Sequence, residues 1–220
     1  MDTEIKTQLD KLSQHYDALG KQHGYSHDAT QQSSIETQEK RLNVLLDMAI
    51  DITNAKVLDF GCGTGHLLTL LKQRGFEGDY IGYDISNELL NLAAHHHHEG
   101  RFECKDIFEQ PIEERFDWVF ISGVFNNDIE HNQRFMQKVL STLFAHVNIG
   151  LVFNALSRYV DYQSKGLYYF DPSWVFDYCK SNLTTHVQLN HSYEVKPGVV
   201  PFEFSIRLDK TSLKPVNLHD

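Results

Sequence analysis

No stretch of this sequence approaches the roughly 18–20 consecutive apolar residues of a membrane-spanning helix, so no part of it is expected to cross a bilayer. Cysteine is scarce. Cys62, Cys104 and Cys179 are odd in number and have neither disulfide-type nor metal-type spacing, which argues against a disulfide scaffold and against a metal site. A reducing cytoplasm is the expected location. Positive charge is also short: 20 Lys and Arg stand against 30 Asp and Glu, a formal net charge of −10. Phosphate neutralisation by Lys and Arg drives most nucleic-acid affinity, so the balance weighs against nucleic acid and anionic membranes as partners. The opening Met1-Asp2-Thr3-Glu4-Ile5-Lys6 is mixed in charge and lacks an apolar run, so no secretory signal is expected. There is no internal repeat and no Pro- or Gly-rich linker. We read 1–220 as a single domain, with a helical cap over 1–50 and a sheet-bearing body over 51–220.

What is present is a periodic chain. Ile5, Leu9, Leu12, Tyr16 and Leu19 recur at three- and four-residue spacing over 4–19, one apolar stripe of a helix, with Gly20 as its expected end. A second helix is expected near Ser33, where Ser33-Ser34-Ile35-Glu36 resembles a capping box; Leu42, Leu45, Leu46, Ala49 and Ile50 supply its buried face. Short apolar runs then alternate with helical ones. Strands are expected at 56–60, 80–83, 102–104, 118–121 and 149–154. Helices are expected at 66–74 (stopped by Gly75), at 87–98 (capped by Ser86 or Asp84), at 133–146, and from Asp171-Pro172 onward. Two final strands, 185–193 and 202–208, are joined by a turn at Lys196-Pro197-Gly198 and suit an antiparallel edge. Alternation of this kind predicts a doubly wound, mostly parallel α/β sheet, which binds ligands at the carboxyl ends of its strands.

The strongest local signal is Val57-Leu58-Asp59-Phe60-Gly61-Cys62-Gly63-Thr64-Gly65-His66. A buried strand runs into three alternate glycines and then a helix, so the backbone can turn sharply and approach a ligand closely. Asp59, Gly61, Cys62, Gly63 and Gly65 are candidate cofactor contacts. Asp84 ends the next strand about 20 residues on, where a carboxylate either accepts from ribose hydroxyls or caps the following helix. Asp106 follows the third strand and is placed to accept from an adenine amino group, or is a solvent-facing turn residue. Ile85 and Ile107, beside these two carboxylates, are taken as flanking contacts. Asp117 leads into the fourth strand, and Ser122-Gly123 leave its carboxyl end with room for a ligand, or form a plain turn.

Residues 56–123 resemble the class I S-adenosylmethionine-dependent methyltransferases, on the Asp-x-Gly-x-Gly-x-Gly string, the acidic residue at Asp84 and the Asp after the third strand. The resemblance implies a Rossmann-like seven-stranded sheet with a reversed last strand, and S-adenosylmethionine over the carboxyl ends of the first strands. A NAD site more often shows Gly-x-Gly-x-x-Gly, whereas the third glycine here comes one residue early. The flanks resemble a narrower bacterial group of small-molecule-type methyltransferases. His23-Gly24-Tyr25-Ser26, Ser34-Ile35-Glu36-Thr37-Gln38-Glu39-Lys40-Arg41, Phe153-Asn154, Tyr169-Phe170-Asp171-Pro172, and Tyr193 with Phe202-Glu203-Phe204 carry that likeness.

Several further residues are candidates. Arg41, with Gln38, precedes the first strand, and its planar fork suits the methionine carboxylate of the cofactor; otherwise it is a solvated helix residue. Tyr16 and Tyr25 either cover the cofactor from the cap or, for Tyr16, belong to the core. His131, beyond the fourth strand, is the first candidate for a general base, or a solvated histidine at a helix start. Asn126, Asn154, Tyr168, Tyr169 and Asp171 are candidates for an acceptor pocket, the tyrosines alternatively being a buried wall. After the fourth strand there is neither Asn/Asp-Pro-Pro-Tyr/Phe nor Pro-Cys, which disfavours nucleobase methylation. The run His95-His96-His97-His98 offers one helical-face pair, His95 and His98, and reads as a polar helix end, not a metal site. Cys62 reads as a small packed residue. The expected activity is methyl transfer to a small-molecule acceptor; an RNA or protein methyltransferase and a non-catalytic cofactor-binding module are the alternatives.

Overall fold

The computed structural model describes residues 3–210. Seven strands form one sheet in the order β3-β2-β1-β4-β5-β7-β6. They are β1 (Val57–Phe60), β2 (Tyr80–Asp84), β3 (Arg101–Cys104), β4 (Phe116–Ile121), β5 (Val147–Leu156), β6 (Val187–Asn190) and β7 (Glu203–Asp209). All neighbours from β3 to β5 pair in parallel, whereas β7 runs antiparallel to both β5 and β6. The sheet is therefore doubly wound, with its strand order reversing between β1 and β4. The final strand is reversed, but it lies inside the sheet. The edge belongs to β6, because the link after β6 is long enough to let β7 insert beside β5.

Period-2 alternation explains why both faces are covered. Leu58, Val119, Ile121, Leu151 and Phe153 point to one side, where α5 (Asn132–Ala145), α6 (Pro172–Asn182) and Ile5 and Leu9 of α1 (Thr3–His23) pack. Val57, Trp118, Phe120 and Val152 point to the other, against α2 (Ile35–Met48) and α3 (His66–Gln73). The fifth predicted helix was placed within one residue, and its expected inward set of Phe135, Val139, Leu140, Leu143 and Phe144 is buried. Asp171 caps α6 by accepting from Ser173 N at 2.9 Å, with Pro172 in the first turn. No helix among the described residues is long and apolar enough to cross a membrane.

Four local expectations need correction. Helix α1 does not stop at Gly20 but continues to His23. A Cβ on Gly20 would sit 2.8 Å from Glu88 Cγ; the glycine is there because α1 crosses α4 (Asn87–His96) at close range, not because the helix ends. The cap of α2 is Ser34, not Ser33: Ser34 Oγ accepts from Thr37 N, and Thr37 Oγ1 accepts from Ser34 N at 3.2 Å, so Thr37 fills the place expected of Glu36. Ile50 lies beyond α2 and is half exposed instead of buried. Finally, α4 ends at His96, and its cap is Ser86, whose Oγ accepts from Leu89 N at 3.2 Å. His97 turns inward and is buried, so the histidine run is not wholly a solvated helix end.

Candidate active site

The glycine loop is built by β1 handing over to α3. Gly61, Gly63 and Gly65 all take positive φ, at 74°, 54° and 81°, a region costly to side chains with a Cβ. Gly61 N and Cys62 N both donate to Tyr83 O, at 2.7 and 3.1 Å, which hooks the loop over the end of β2. Asp84 completes the hook. Its Oδ2 accepts from Gly63 N at 2.8 Å and its Oδ1 from Ser86 N at 2.9 Å. Burial pushes the Asp84 carboxyl up, and the donated backbone N–H bonds oppose that shift. An ionised carboxylate offers about four lone-pair positions, and backbone N–H groups of Gly63, Ser86 and Ile85 act on it, so at least one remains. Asp84 thus pins the glycine loop and stays able to accept from a ligand.

Asp59 is buried one residue before the end of β1, where its Oδ2 accepts from Tyr80 OH at 2.7 Å. Burial pushes its carboxyl up to about 7 against the opposing Tyr80 hydrogen bond. Cys62 is buried and its thiol is pushed well up, by burial first and by Asp84 and Asp59 second, so it is a packed residue and not a nucleophile. Asp106 Oδ1 accepts from Phe108 N at 2.9 Å, bending the chain after β3 back toward the cavity.

These groups open into one cavity of about 1160 Å3, its open mouth included. Its walls include Asp59, Gly61, Cys62, Gly63, Asp84, Ile85, Asp106, Ile107, Ser122, Gly123, Gln38 and Arg41, and Tyr16 from the cap. Helix α1 roofs it with Leu9, Leu12 and Tyr16. Tyr16 OH accepts from Asn127 Nδ2 at 2.9 Å, tying the roof to the loop after β4. Thr30 and Gln32, on either side of residue 31 in the turn before α2, close another side.

Arg41 is not a solvated helix residue. Its Nε donates to Glu203 Oε2 at 2.8 Å, and its Nη1 donates to Gln32 Oε1. Glu203 is fully buried and also accepts at Oε1 from Asn154 Nδ2 at 3.1 Å and from Tyr193 OH at 3.0 Å. Asn154 Oδ1 in turn accepts from Gly123 N at 2.8 Å.

Other sequence candidates lie away from the cavity wall. His131 sits before α5 with Nε2 2.9 Å from Glu4 Oε2, partly exposed, and lines a separate, more open hollow with Tyr168 instead of this cavity. Asn154 is fully buried behind Ser122 and Gly123, holding the loop instead of facing a ligand. Asn126 and Tyr168 pair through backbone, Tyr168 N donating to Asn126 O at 2.9 Å. Tyr169 OH accepts from Ser164 N at 3.1 Å, and Asp171 is spent on capping α6. Tyr25 does not reach the cavity. It stacks on His96 at 3.7 Å between centroids, and its OH lies 2.9 Å from His97 Nε2. Gly65 faces His97 and Phe102, away from the cavity. Among the described residues no group of three or more His, Cys, Asp or Glu is placed to hold a metal.

Comparison with known proteins settles the family. A family profile described as a methyltransferase domain matches residues 52–155. A Mycobacterium tuberculosis protein named as a methyltransferase is 35% identical over 160 residues, covering 70% of this chain and 92% of that protein. The chain belongs to the class I S-adenosylmethionine-dependent methyltransferases. The malonyl-[acyl-carrier protein] O-methyltransferase of Acetivibrio thermocellus is 33% identical over 101 residues, 43% of this chain and 35% of that enzyme. In fold, this methyltransferase superposes on the magnesium protoporphyrin IX methyltransferase of Synechocystis with bound S-adenosylmethionine. That match has a TM-score of 0.65 at 14% identity, over 96% of this chain and 99% of the other.

The cavity also has walls that sequence patterns did not mark. Leu9 and Leu12 belonged to an apolar stripe read as core, yet they line the roof. Lys105, Phe108, Asn127, Gln32 and His66 line it too.

Proposed function

We propose that the cavity is the S-adenosylmethionine site of a cytoplasmic enzyme that methylates a small-molecule acceptor. The observation that carries this reading is Asp84: a buried carboxylate at the end of β2, anchored by Gly63 N and Ser86 N, with acceptor capacity left on the cavity side. The ribose hydroxyls are the natural donors for it. Ile85, Ile107 and Phe108 provide apolar walls for a purine, and Asp106 an acceptor for its amino group. Gln38 and Arg41 lie at the wall suited to the amino-acid end. The donor set therefore fits the cofactor from adenine to carboxylate.

When bound, S-adenosylmethionine supplies a methyl group already activated on a sulfonium sulfur. The chain's own residues orient and exclude water. The glycine loop and Asp84 fix the ribose end. Leu9, Leu12 and Tyr16 roof the cavity, and Asn127 holds Tyr16 down. A roofed cavity and a chain of net charge −10 both favour a small acceptor over an RNA or an extended peptide. The three cysteines are unbridged, which suits a reducing compartment.

Calorimetric titration of wild type and Asp84→Ala with S-adenosylmethionine and S-adenosylhomocysteine, with NAD as control, tests this. Charged hydrogen bonds contribute about 1.5–3 kcal/mol each, so losing even one should weaken binding by at least about 10-fold. Turnover against a metabolite panel then identifies the acceptor. A folded wild type that binds neither sulfur compound, or an Asp84→Ala that binds as well, would overturn the assignment.

A further inference from the structure

The ion pair between Arg41 and Glu203 is expensive on stability grounds alone. Glu203 has no exposed surface and Arg41 is only 13% exposed, and taking two charges out of water costs more than an isolated pair usually returns. Burial pushes the Glu203 carboxyl up, opposed first by the Arg41 charge and then by the hydrogen bonds of Tyr193, Arg41 and Asn154. Such a group persists in a core when it fixes something.

What it fixes is Arg41. Nε is held by Glu203 Oε2 at 2.8 Å, Nη1 by Gln32, and the Phe202 ring lies 5.8 Å from the guanidinium carbon. The guanidinium is thereby held by two hydrogen bonds and flanked by an aromatic ring. Of its five N–H donors, two are spent and three remain. Arg41 lines the cavity and Glu203 does not. The same carboxylate reaches Gly123, a cavity residue, through Asn154 at 3.1 and then 2.8 Å. One buried charge on β7 thus sets both an arginine on α2 and the loop after β4.

We propose that Glu203 is a positioning residue that orients Arg41 as a clamp for the carboxylate of the cofactor's amino-acid end. This rests on the reading of the cavity as the S-adenosylmethionine site. It assigns selectivity for the amino-acid end to a residue that touches no ligand, since a preorganised fork binds both carboxylate oxygens and a loose one does not.

The test uses two ligands that share adenosine and sulfur. S-adenosylhomocysteine carries the carboxylate; 5′-methylthioadenosine does not. Calorimetry on wild type and Glu203→Gln should show S-adenosylhomocysteine weakened roughly 10-fold or more, with 5′-methylthioadenosine changed by less than about threefold. Gln32→Ala, outside the core, removes the other tether and should shift the same ratio in the same direction by less. If Glu203→Gln does not fold, the Gln32→Ala ratio decides alone. Equal loss of both ligands means that Glu203 only supports the fold and overturns the proposal; an unchanged ratio in the folded variants also overturns it. Failure of wild type to bind S-adenosylhomocysteine would instead overturn the cofactor assignment itself.

Discussion

The sheet side of the cavity and its roof are held together in different ways. On the sheet side, the hydrogen bonds that hook the glycine loop all run between neighbouring strand ends, β1 to β2: Gly61 and Cys62 to Tyr83, Gly63 to Asp84, Asp59 to Tyr80. The roof is tied down by pairs far apart in sequence. Arg41 meets Glu203, Tyr16 meets Asn127, and Tyr25 meets His97. Asp17 of α1 even joins the capping of α4, accepting from Ser86 Oγ at 2.6 Å and Glu88 N at 3.1 Å. The sheet side is local chemistry and forms wherever a strand meets alternate glycines. The roof exists only once the whole chain has folded.

The two halves touch at Gly63, so that is where the contrast breaks most sharply. A Cβ there would lie 2.7 Å from Thr30 Cγ2, and φ is already +54°. Gly63→Ala should cost about 1–3 kcal/mol from backbone strain alone, and it should also displace the turn that carries Thr30. Thr30→Ser deletes that methyl and keeps a hydroxyl able to bond His27 O, as Thr30 does at 3.2 Å. In the double variant the steric part should return while the strain part stays, as read by urea unfolding. A Thr30→Ser change that rescues nothing would show that the roof does not press on the loop.

This division explains what could be read in advance. The alternation of strands and helices, the glycine turn, the position of Asp84 at the end of β2 and the capping of α6 by Asp171 were legible because periodicity, turn and cap chemistry act over a few residues. Gly20 misled because the residue that ends helices is also the one that lets two helices cross closely. Ser33 and Ser34 differ by one position, and only the backbone decides which hydroxyl faces Thr37. His131, Tyr168 and Tyr169 were sought at the cavity because the chain leaves β4 near them; the roof instead draws Asn127 inward to Tyr16. Arg41 was legible as a cavity residue, but its partner 162 positions away was not. Tyr25 was expected over the cofactor, whereas the histidine run provides a nearer surface for it.

A smaller effect sharpens the sheet side alone. Asp59 has its carboxyl pushed up to about 7 by burial, against about 3.9 in an unfolded chain. Between those values the folded protein keeps a proton that the unfolded chain has released. Linkage then requires stability to fall as pH rises through that window and to level off above it. Asp59→Asn preserves an acceptor for Tyr80 OH and cannot ionise. Wild-type stability should therefore decline relative to the variant from about pH 4 to about pH 7, measured by urea unfolding at each pH. Parallel curves would remove Asp59 from the ledger of titrating groups.

The smallest expected effect belongs to the roof. His97 is buried beneath the Tyr25 hydroxyl and near the ring of Phe102. Burial holds its imidazole below the ordinary value, and Glu99 opposes this while His96 and His66 reinforce it. A base depressed on folding binds fewer protons in the folded state, so its contribution is fully present above the ordinary histidine value of about 6.5 and is lost as pH falls below it. His97→Gln keeps a polar end for Tyr25 and does not titrate. Wild type should lose stability relative to His97→Gln as pH falls below about 6.5, the opposite sign to the Asp59 effect. In the same acid range, faster amide exchange confined to residues around Tyr25 would mean that the roof loosens before the glycine loop does. Uniform exchange across both regions would mean that the roof and the sheet side open as one unit, and the distinction between them would be structural only.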